Sequence, residues 1–142
     1  MPGRALNPAP MPAIAALYGG LVGLLLLVLA AGVSRHRRAL RVGLGDGGDA
    51  RLARAIRVHG NAVEWAVPAI LLLLIAELTR ASPLLLHACG IALIAGRVLH
   101  AIGLSRTSGS SAGRLVGTAL SWIALATLAL WNVWAFARLA LR

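Results

Sequence analysis

The sequence contains no lysine, a single cysteine and only four acidic residues. With Cys89 alone, an intramolecular disulfide and a cysteine-cluster metal site are both excluded. The glycine-rich segment 43–49 is no phosphate-binding loop, because it lacks the Gly-Lys-Ser/Thr ending that places a lysine on phosphate. It also lacks the oxygen ligands and terminal glutamate of an EF-hand. We therefore predict a surface loop whose last residue, Asp49, caps the next helix.

What the chain does contain is apolar sequence. The hydrophobic fraction is 59% and the mean hydropathy is +0.83, whereas charged residues make up 13%. Soluble chains usually have about 45–50% apolar residues. This composition predicts a polytopic membrane protein with one all-α domain over residues 1–142, and it leaves no room for a separate soluble domain.

Four apolar runs are each long enough to cross about 30 Å of hydrocarbon as a helix. The predicted helices cover residues 13–33, 50–79, 83–104 and 113–138, after a proline-rich tail at 1–11. The first run exceeds the length of a signal-peptide core, and its positive charge follows rather than precedes it. Gly19 and Gly23 could let another helix approach closely, or they could be ordinary glycines of a membrane helix.

The arginines indicate topology rather than nucleic-acid binding, although the net charge is +10. No basic face alternates with aromatic residues; the arginines instead lie between apolar runs. The segments 34–57 and 105–114 carry Arg35, Arg37, Arg38, Arg41, Arg51, Arg54, Arg57, Arg106 and Arg114, against Arg4, Arg80, Arg138 and Arg142 on the opposite side. The positive-inside rule places the first set in the cytoplasm, so both termini are expected in the periplasm.

A polar stripe opens the second helix. It consists, in chain order, of Arg54, Arg57, Asn61 and Glu64. Successive members are three, four and three residues apart, which places all four on one helix face. Polar groups entering a membrane span require partners or a ligand. Further along this helix, Pro68 should loosen the hydrogen-bond ladder and Glu77 is expected to pair with Arg80.

The topology brings other basic groups to the depth of this stripe. Helix three ends with Arg97 and His100, and helix four begins with Arg114. One carboxylate, Glu64, cannot neutralise Arg57 together with the arginines of helices three and four. The excess of positive charge predicts a small carboxylated ligand. The alternative is that the arginines extend to lipid phosphates and the histidine is only packed. No histidine pair has metal-ligand spacing with a suitable third ligand.

At these residues the chain resembles the MAPEG family, the membrane-associated proteins of eicosanoid and glutathione metabolism. The resemblance rests on Arg54-x-x-Arg57-x-x-x-Asn61-x-x-Glu64 followed by Pro68, on Gly96-Arg97-x-x-His100, and on Arg114 at the start of the last helix. It covers residues 13–136 and is closest to small bacterial members, which implies a bacterial inner-membrane protein.

The resemblance implies a homotrimer that holds glutathione between neighbouring subunits. It implies that Arg114 stabilises the glutathione thiolate, which attacks a lipophilic electrophile that arrives through the bilayer. An arginine suits this role because it keeps its proton and lowers the thiol pKa electrostatically. The residues expected to hold glutathione, from the stripe and the resemblance together, are Arg35, Arg54, Arg57, Asn61, Glu64, Arg97 and His100.

The chain also departs from the family's pattern. Gly60 replaces an arginine, Leu104 and Thr118 replace tyrosines, and Leu115 replaces a serine. Two functions therefore remain open: a glutathione-dependent transferase or peroxidase, and a non-catalytic membrane protein that binds a lipid or an anionic small molecule in the same pocket. A small transporter fits less well, because there is no inverted repeat and the polar groups lie at one interface.

Overall fold

The computed structural model describes residues 11–107 and 109–141, and this part of the chain is an all-α bundle. Its helices are α1 (Ala13–Leu40), α2 (Ala50–Leu78), α3 (Pro83–Arg106) and α4 (Ala112–Ala140). All four are long and apolar enough to cross a membrane, which confirms the predicted fold class. Except for Met11, the tail predicted at 1–11 lies outside the described residues.

Helix α1 extends seven residues beyond its predicted end at Val33. The prediction stopped where the apolar run stops, but arginine, alanine and leucine are good helix formers and continue the helix beyond the apolar segment. Arg41 then ends the helix in the left-handed conformation, with φ of 56°. Its amide and that of Val42 donate to the carbonyls of Arg38 and Arg37, which forms a Schellman cap.

Each of the other three helices begins at a side-chain cap. The Asp49 carboxylate accepts from the amides of Arg51 and Leu52 at 2.9 and 2.8 Å, as predicted from its position. Ser82 caps α3 and Ser111 caps α4, each through its hydroxyl oxygen. These caps satisfy amides that have no partner within the helix.

Helices α3 and α4 make the closest backbone approach in the bundle, and glycines permit it. A Cβ atom on Gly96 would lie 2.8 Å from the carbonyl oxygen of Gly117, and one on Gly103 would lie 2.8 Å from the amide nitrogen of Arg114. By contrast, Gly20 and Gly23 of α1 have nothing within 4 Å of that position, and Gly19 makes an ordinary contact with Ile70. The tight helix pairing within this chain is therefore α3 with α4.

Glu77 joins α2 to the beginning of α1 instead of pairing with Arg80. Its carboxylate accepts from the backbone amides of Ile14 at 3.0 Å and Ala15 at 2.6 Å. A negative charge at a helix N-terminus also interacts favourably with the helix dipole. The predicted Glu77–Arg80 ion pair does not form, because the carboxylate is already used by the two free amides of α1.

The helix ends define two layers that are used below. The polar end is where α1 and α3 end and α2 and α4 begin; the opposite end is where α1 and α3 begin and α2 and α4 end. A core of leucines and alanines lies between them and includes Leu73, Leu86, Leu93 and Leu128. Helix α2 runs unbroken through Pro68, whose ring nitrogen leaves the Glu64 carbonyl without its usual helical donor.

Candidate functional site

Arg97 is the largest fully buried side chain among the described residues, with 1% of its surface exposed. Its guanidinium donates to the Ser121 hydroxyl at 2.8 Å and the Gly117 carbonyl at 3.2 Å on α4, and to Asn61 Oδ1 at 3.0 Å on α2. Every acceptor is a neutral oxygen. Arg97 therefore ties three helices together at the polar end, and Asn61 links it to Glu64 on α2.

Asn61 continues this chain of contacts to the surface of α2. Its amide nitrogen donates to Glu64 Oε2 at 3.5 Å, and Arg57 Nη1 lies 3.3 Å from Glu64 Oε1. The side chains of Arg57 and Glu64 are 64% and 53% exposed, so this ion pair faces outward. A salt bridge on the outer face of a membrane span is costly in lipid, which favours a covering subunit or ligand.

A second part of the site lies between α3 and α4. A cavity of about 460 Å³ is lined by His100, Arg114, Leu115 and Thr118, with the loop residues Gly109, Ser110 and Ser111 at its rim. Arg114 Nη1 donates to the Gly109 carbonyl. The close approach of Gly103 to the Arg114 backbone brings Arg114 beside α3. The cavity therefore presents a permanent positive charge beside an imidazole.

A third part is a basic cavity of about 320 Å³ between the ends of α1, α2 and α3. It is lined by His36, Arg51, Arg54, Ala55 and Ser105, and Arg54 Nη1 donates to the Ser105 carbonyl at 3.3 Å. Arg35 is exposed and does not line this cavity; the next residue, His36, does.

The predicted residues thus form a layer at one end of the bundle, but they do not share one cavity. Arg57 and Glu64 face outward, His100 and Arg114 line one cavity, and Arg54 lines another. Arg97 is buried in the core, and Arg35 lines neither cavity. The stripe of Arg57 and Glu64 does not line the cavity that holds His100 and Arg114. Among the residues described, no three His, Cys, Asp or Glu side chains are placed to hold a metal ion.

Sequence reasoning missed three contributors to this layer: Ser121, Gly117 and His36. Gly113, Gly117 and Ser121 follow one another at intervals of four residues, which is the small-residue pattern of a close helix contact. That pattern would have identified the α4 face against which Arg97 packs. His36 has no comparable signal in the sequence. It stands among arginines after Val33, where the predicted first helix ends.

Comparison with known proteins identifies the family of the chain. The model of the MAPEG family matches residues 15–134. The inner membrane protein YecN of Escherichia coli (strain K12) is 42% identical over 127 residues, which cover 85% of this chain and 91% of the relative. YecN of Escherichia coli O6:H1 matches with the same identity and coverage. The chain therefore belongs to the MAPEG family and is an integral inner-membrane protein.

Proposed function

We propose that this protein binds glutathione at the polar end and transfers its thiolate to lipophilic electrophiles, as a transferase or peroxidase. The observation that carries the proposal is the cavity lined by His100 and Arg114, in a layer whose buried Arg97 contacts only neutral oxygens among the residues that the structure describes. The two glutathione carboxylates would supply the negative charge that this layer lacks.

The proposed chemistry needs only a fixed positive charge near the sulfur. When the glutathione thiol loses its proton to water, the Arg114 guanidinium stabilises the resulting thiolate by charge and hydrogen bonding. In the transferase step the thiolate sulfur attacks the electrophilic carbon and either displaces a leaving group, which departs with its bonding electron pair, or adds to an activated double bond, which then takes a proton from water. In the peroxidase step the sulfur attacks a hydroperoxide oxygen, the O–O bond breaks, and the alkoxide takes a proton and leaves as the alcohol. A second glutathione then converts the resulting sulfenic acid to glutathione disulfide and water. Arg114 opens α4 and Leu115 beside it is 75% exposed, so an apolar substrate could enter from the bilayer.

The proposed assembly is a homotrimer in which neighbouring subunits complete each site. This is supported by the division of the predicted residues within one subunit, since Arg57 and Glu64 face outward on α2 while Arg114 lines a different surface. A symmetric trimer would bring the stripe of one subunit to the cavity of the next.

The proposed orientation has both termini in the periplasm and the 34–57 and 105–114 segments in the cytoplasm, as the arginine distribution favours. Reporter fusions at the C-terminus and in the 43–49 loop test it. Cytoplasmic activity of the C-terminal fusion would refute it.

The thiolate absorbance of glutathione bound to purified protein tests the catalytic role. We expect a thiolate signal with the wild type and its loss in Arg114→Ala, together with a fall in turnover of about 100-fold. Arg106→Ala removes an exposed arginine at the same end and serves as the matched control. An unchanged signal in Arg114→Ala would contradict the assigned role.

The second candidate is a non-catalytic protein that binds a lipid or an anionic small molecule in the same pocket. It is favoured by Leu104 and Thr118, since Thr118 lines the cavity and Leu104 is buried nearby, and neither supplies a phenol hydroxyl. Binding to the purified protein distinguishes the two functions. A pocket ligand that lipid displaces, but that millimolar glutathione does not, would favour the non-catalytic binding protein.

A further inference from the structure

A cleft at the opposite end of the bundle carries positive charge that the proposed function does not use. It has a volume of about 410 Å³ and lies between the end of α2 and the end of α4. Thr79, Arg80, Trp134 and Arg138 line it, with apolar walls from Leu78 and Leu139. It is separated from the Arg114 cavity by the length of the helices, so it is a distinct site.

No carboxylate balances these arginines within residues 11–107 and 109–141. Glu77, the nearest in sequence, is held by the two amides at the start of α1. Glu64 pairs with Arg57, and Asp46 and Asp49 belong to the loop at the polar end. In the same part of the chain, the Arg80 guanidinium has no hydrogen-bond or ion-pair partner. Two uncompensated guanidinium groups at one cleft favour an anion, and a guanidinium group matches the geometry of phosphate and carboxylate oxygens.

Backbone hydrogen bonds hold the α2 side of the cleft in place. Arg80 stands in the left-handed conformation, with φ of 65°, and a Schellman cap holds it there: its amide donates to the Glu77 carbonyl and that of Ala81 to the Ala76 carbonyl. Across the cleft, Trp131 Nε1 donates to Thr79 Oγ1 at 3.1 Å and ties α4 to α2. Hydrogen bonds within the protein therefore hold the α2 and α4 sides of the cleft together.

Arg138 is held by an aromatic ring. Its guanidinium carbon lies 5.3 Å from the ring centroid of Trp134, which in turn packs against Trp131. Stacking uses the face of the guanidinium and leaves its N–H edge for an acceptor. Tryptophans at a helix end are typical of the membrane–water interface, which is also the level of lipid phosphates.

The surroundings of the cleft select a lipid over a free anion. Leu78 and Leu139 are 53% and 63% exposed beside the arginines, and Phe136 is 72% exposed on the same helix end. An acyl chain would cover this apolar surface while the phosphate meets the two arginines. We propose that the Arg80–Arg138 cleft binds the headgroup phosphate of an anionic phospholipid, in the leaflet opposite the Arg114 site.

Native mass spectrometry of the purified protein tests this proposal, with phosphatidylglycerol and phosphatidylcholine as competing probes. We expect the wild type to retain phosphatidylglycerol preferentially, and Arg80→Gln/Arg138→Gln to lose this preference at least tenfold. Arg38→Gln/Arg106→Gln removes the same charge from exposed positions at the polar end and should keep it. Arg80→Lys/Arg138→Lys retains both charges and should keep most of the preference, which controls for misfolding.

Three results would overturn the proposal. The first is an unchanged preference in the Arg80→Gln/Arg138→Gln protein. The second is an equal loss in the polar-end control, which would indicate net charge alone. The third is full displacement of phosphatidylglycerol by millimolar inorganic phosphate or glycerol phosphate, which would assign the cleft to a soluble anion. Glutathione binding in the same variants should be unaffected, so failure here leaves the proposed function standing.

Discussion

At the residue scale, Arg97 shows how burial changes the role that sequence suggests. Its place in Gly96-Arg97-x-x-His100 predicts a ligand contact, and the structure shows that the side chain lies in the core and donates to neutral oxygens of three residues on two other helices. The sequence alone shows that Arg97 and His100 are three residues apart and therefore share a helix face. The partners were not predicted, although the spacing of Gly113, Gly117 and Ser121 marks the α4 face that supplies two of them.

We expect Arg97→Ala to destabilise the protein by at least about 3 kcal/mol, since it opens a cavity and removes the hydrogen bonds that tie Asn61 and Ser121 to α3. Arg97→Lys should cost less but should not match the wild type, because an ammonium cannot span the same fork of acceptors. Unfolding in detergent measures both. Arg106→Ala, at an exposed site, should change stability by less than about 0.5 kcal/mol; equal stability of the two alanine variants would contradict the assigned role.

Glu77 is the second residue with an unexpected partner. Removing its carboxylate in Glu77→Ala leaves the amides of Ile14 and Ala15 without an acceptor, so we expect a loss of about 2 kcal/mol. Thermal unfolding of the purified protein measures the loss. The matched acidic control is Asp46→Ala, whose carboxylate bonds only within an exposed loop. If the two variants unfold at the same temperature, Glu77 does not anchor α1.

At the scale of helices, apolar runs and caps predict most boundaries within two residues, and the end of α1 is the exception. Its last turns contain arginines, so apolar length alone could not reveal them. The pairing of α3 with α4 also escaped prediction, although small residues spaced by four along α4 encode it. For Gly19 and Gly23 of α1 the sequence left open whether they pack closely or are ordinary helix glycines; a Cβ atom on Gly23 would have nothing within 4 Å, and one on Gly19 would make only an ordinary contact with Ile70.

The α3–α4 contact predicts opposite results for two glycine substitutions. In Gly117→Ala the new Cβ would lie 2.5 Å from the Gly96 carbonyl oxygen and 2.6 Å from the His100 amide, and backbone atoms cannot rotate away. We expect a loss of about 1–3 kcal/mol, with weaker glutathione binding as His100 and Arg114 separate. Gly20→Ala should be neutral or stabilising by up to about 1 kcal/mol. Calorimetric unfolding measures the stability of both variants. A Gly117→Ala protein as stable as the wild type would contradict the close α3–α4 packing.

At the scale of the whole molecule, composition and charge predict the four-span bundle and the layer of polar groups. They do not predict how that layer is divided, because the division depends on helix rotation. The side chains of Arg57 and Glu64 face outward, whereas that of Arg97 lies in the core. The α2 stripe and the Gly-Arg-x-x-His segment of α3 nevertheless lie at the same end of the bundle. The proposed trimer, in which a neighbouring subunit completes each site, would use both surfaces.

Mixing of inactive subunits tests that arrangement. We expect Glu64→Ala and Arg114→Ala to lose glutathione binding when expressed separately, because each removes one half of every site. In a mixed trimer, one interface in three joins an intact Glu64 to an intact Arg114, so co-expression should restore up to about one third of the sites. Counting bound glutathione per trimer measures this. No recovery in isolated mixed trimers would place the site within one subunit.

The most direct test of the central claim is an equilibrium titration of the purified, detergent-solubilised protein with glutathione up to millimolar concentrations. The account predicts saturable binding of one glutathione per subunit, weakened at least tenfold by Arg114→Ala and unchanged by Arg106→Ala. Absence of saturable binding to the folded wild-type protein at millimolar glutathione would contradict it.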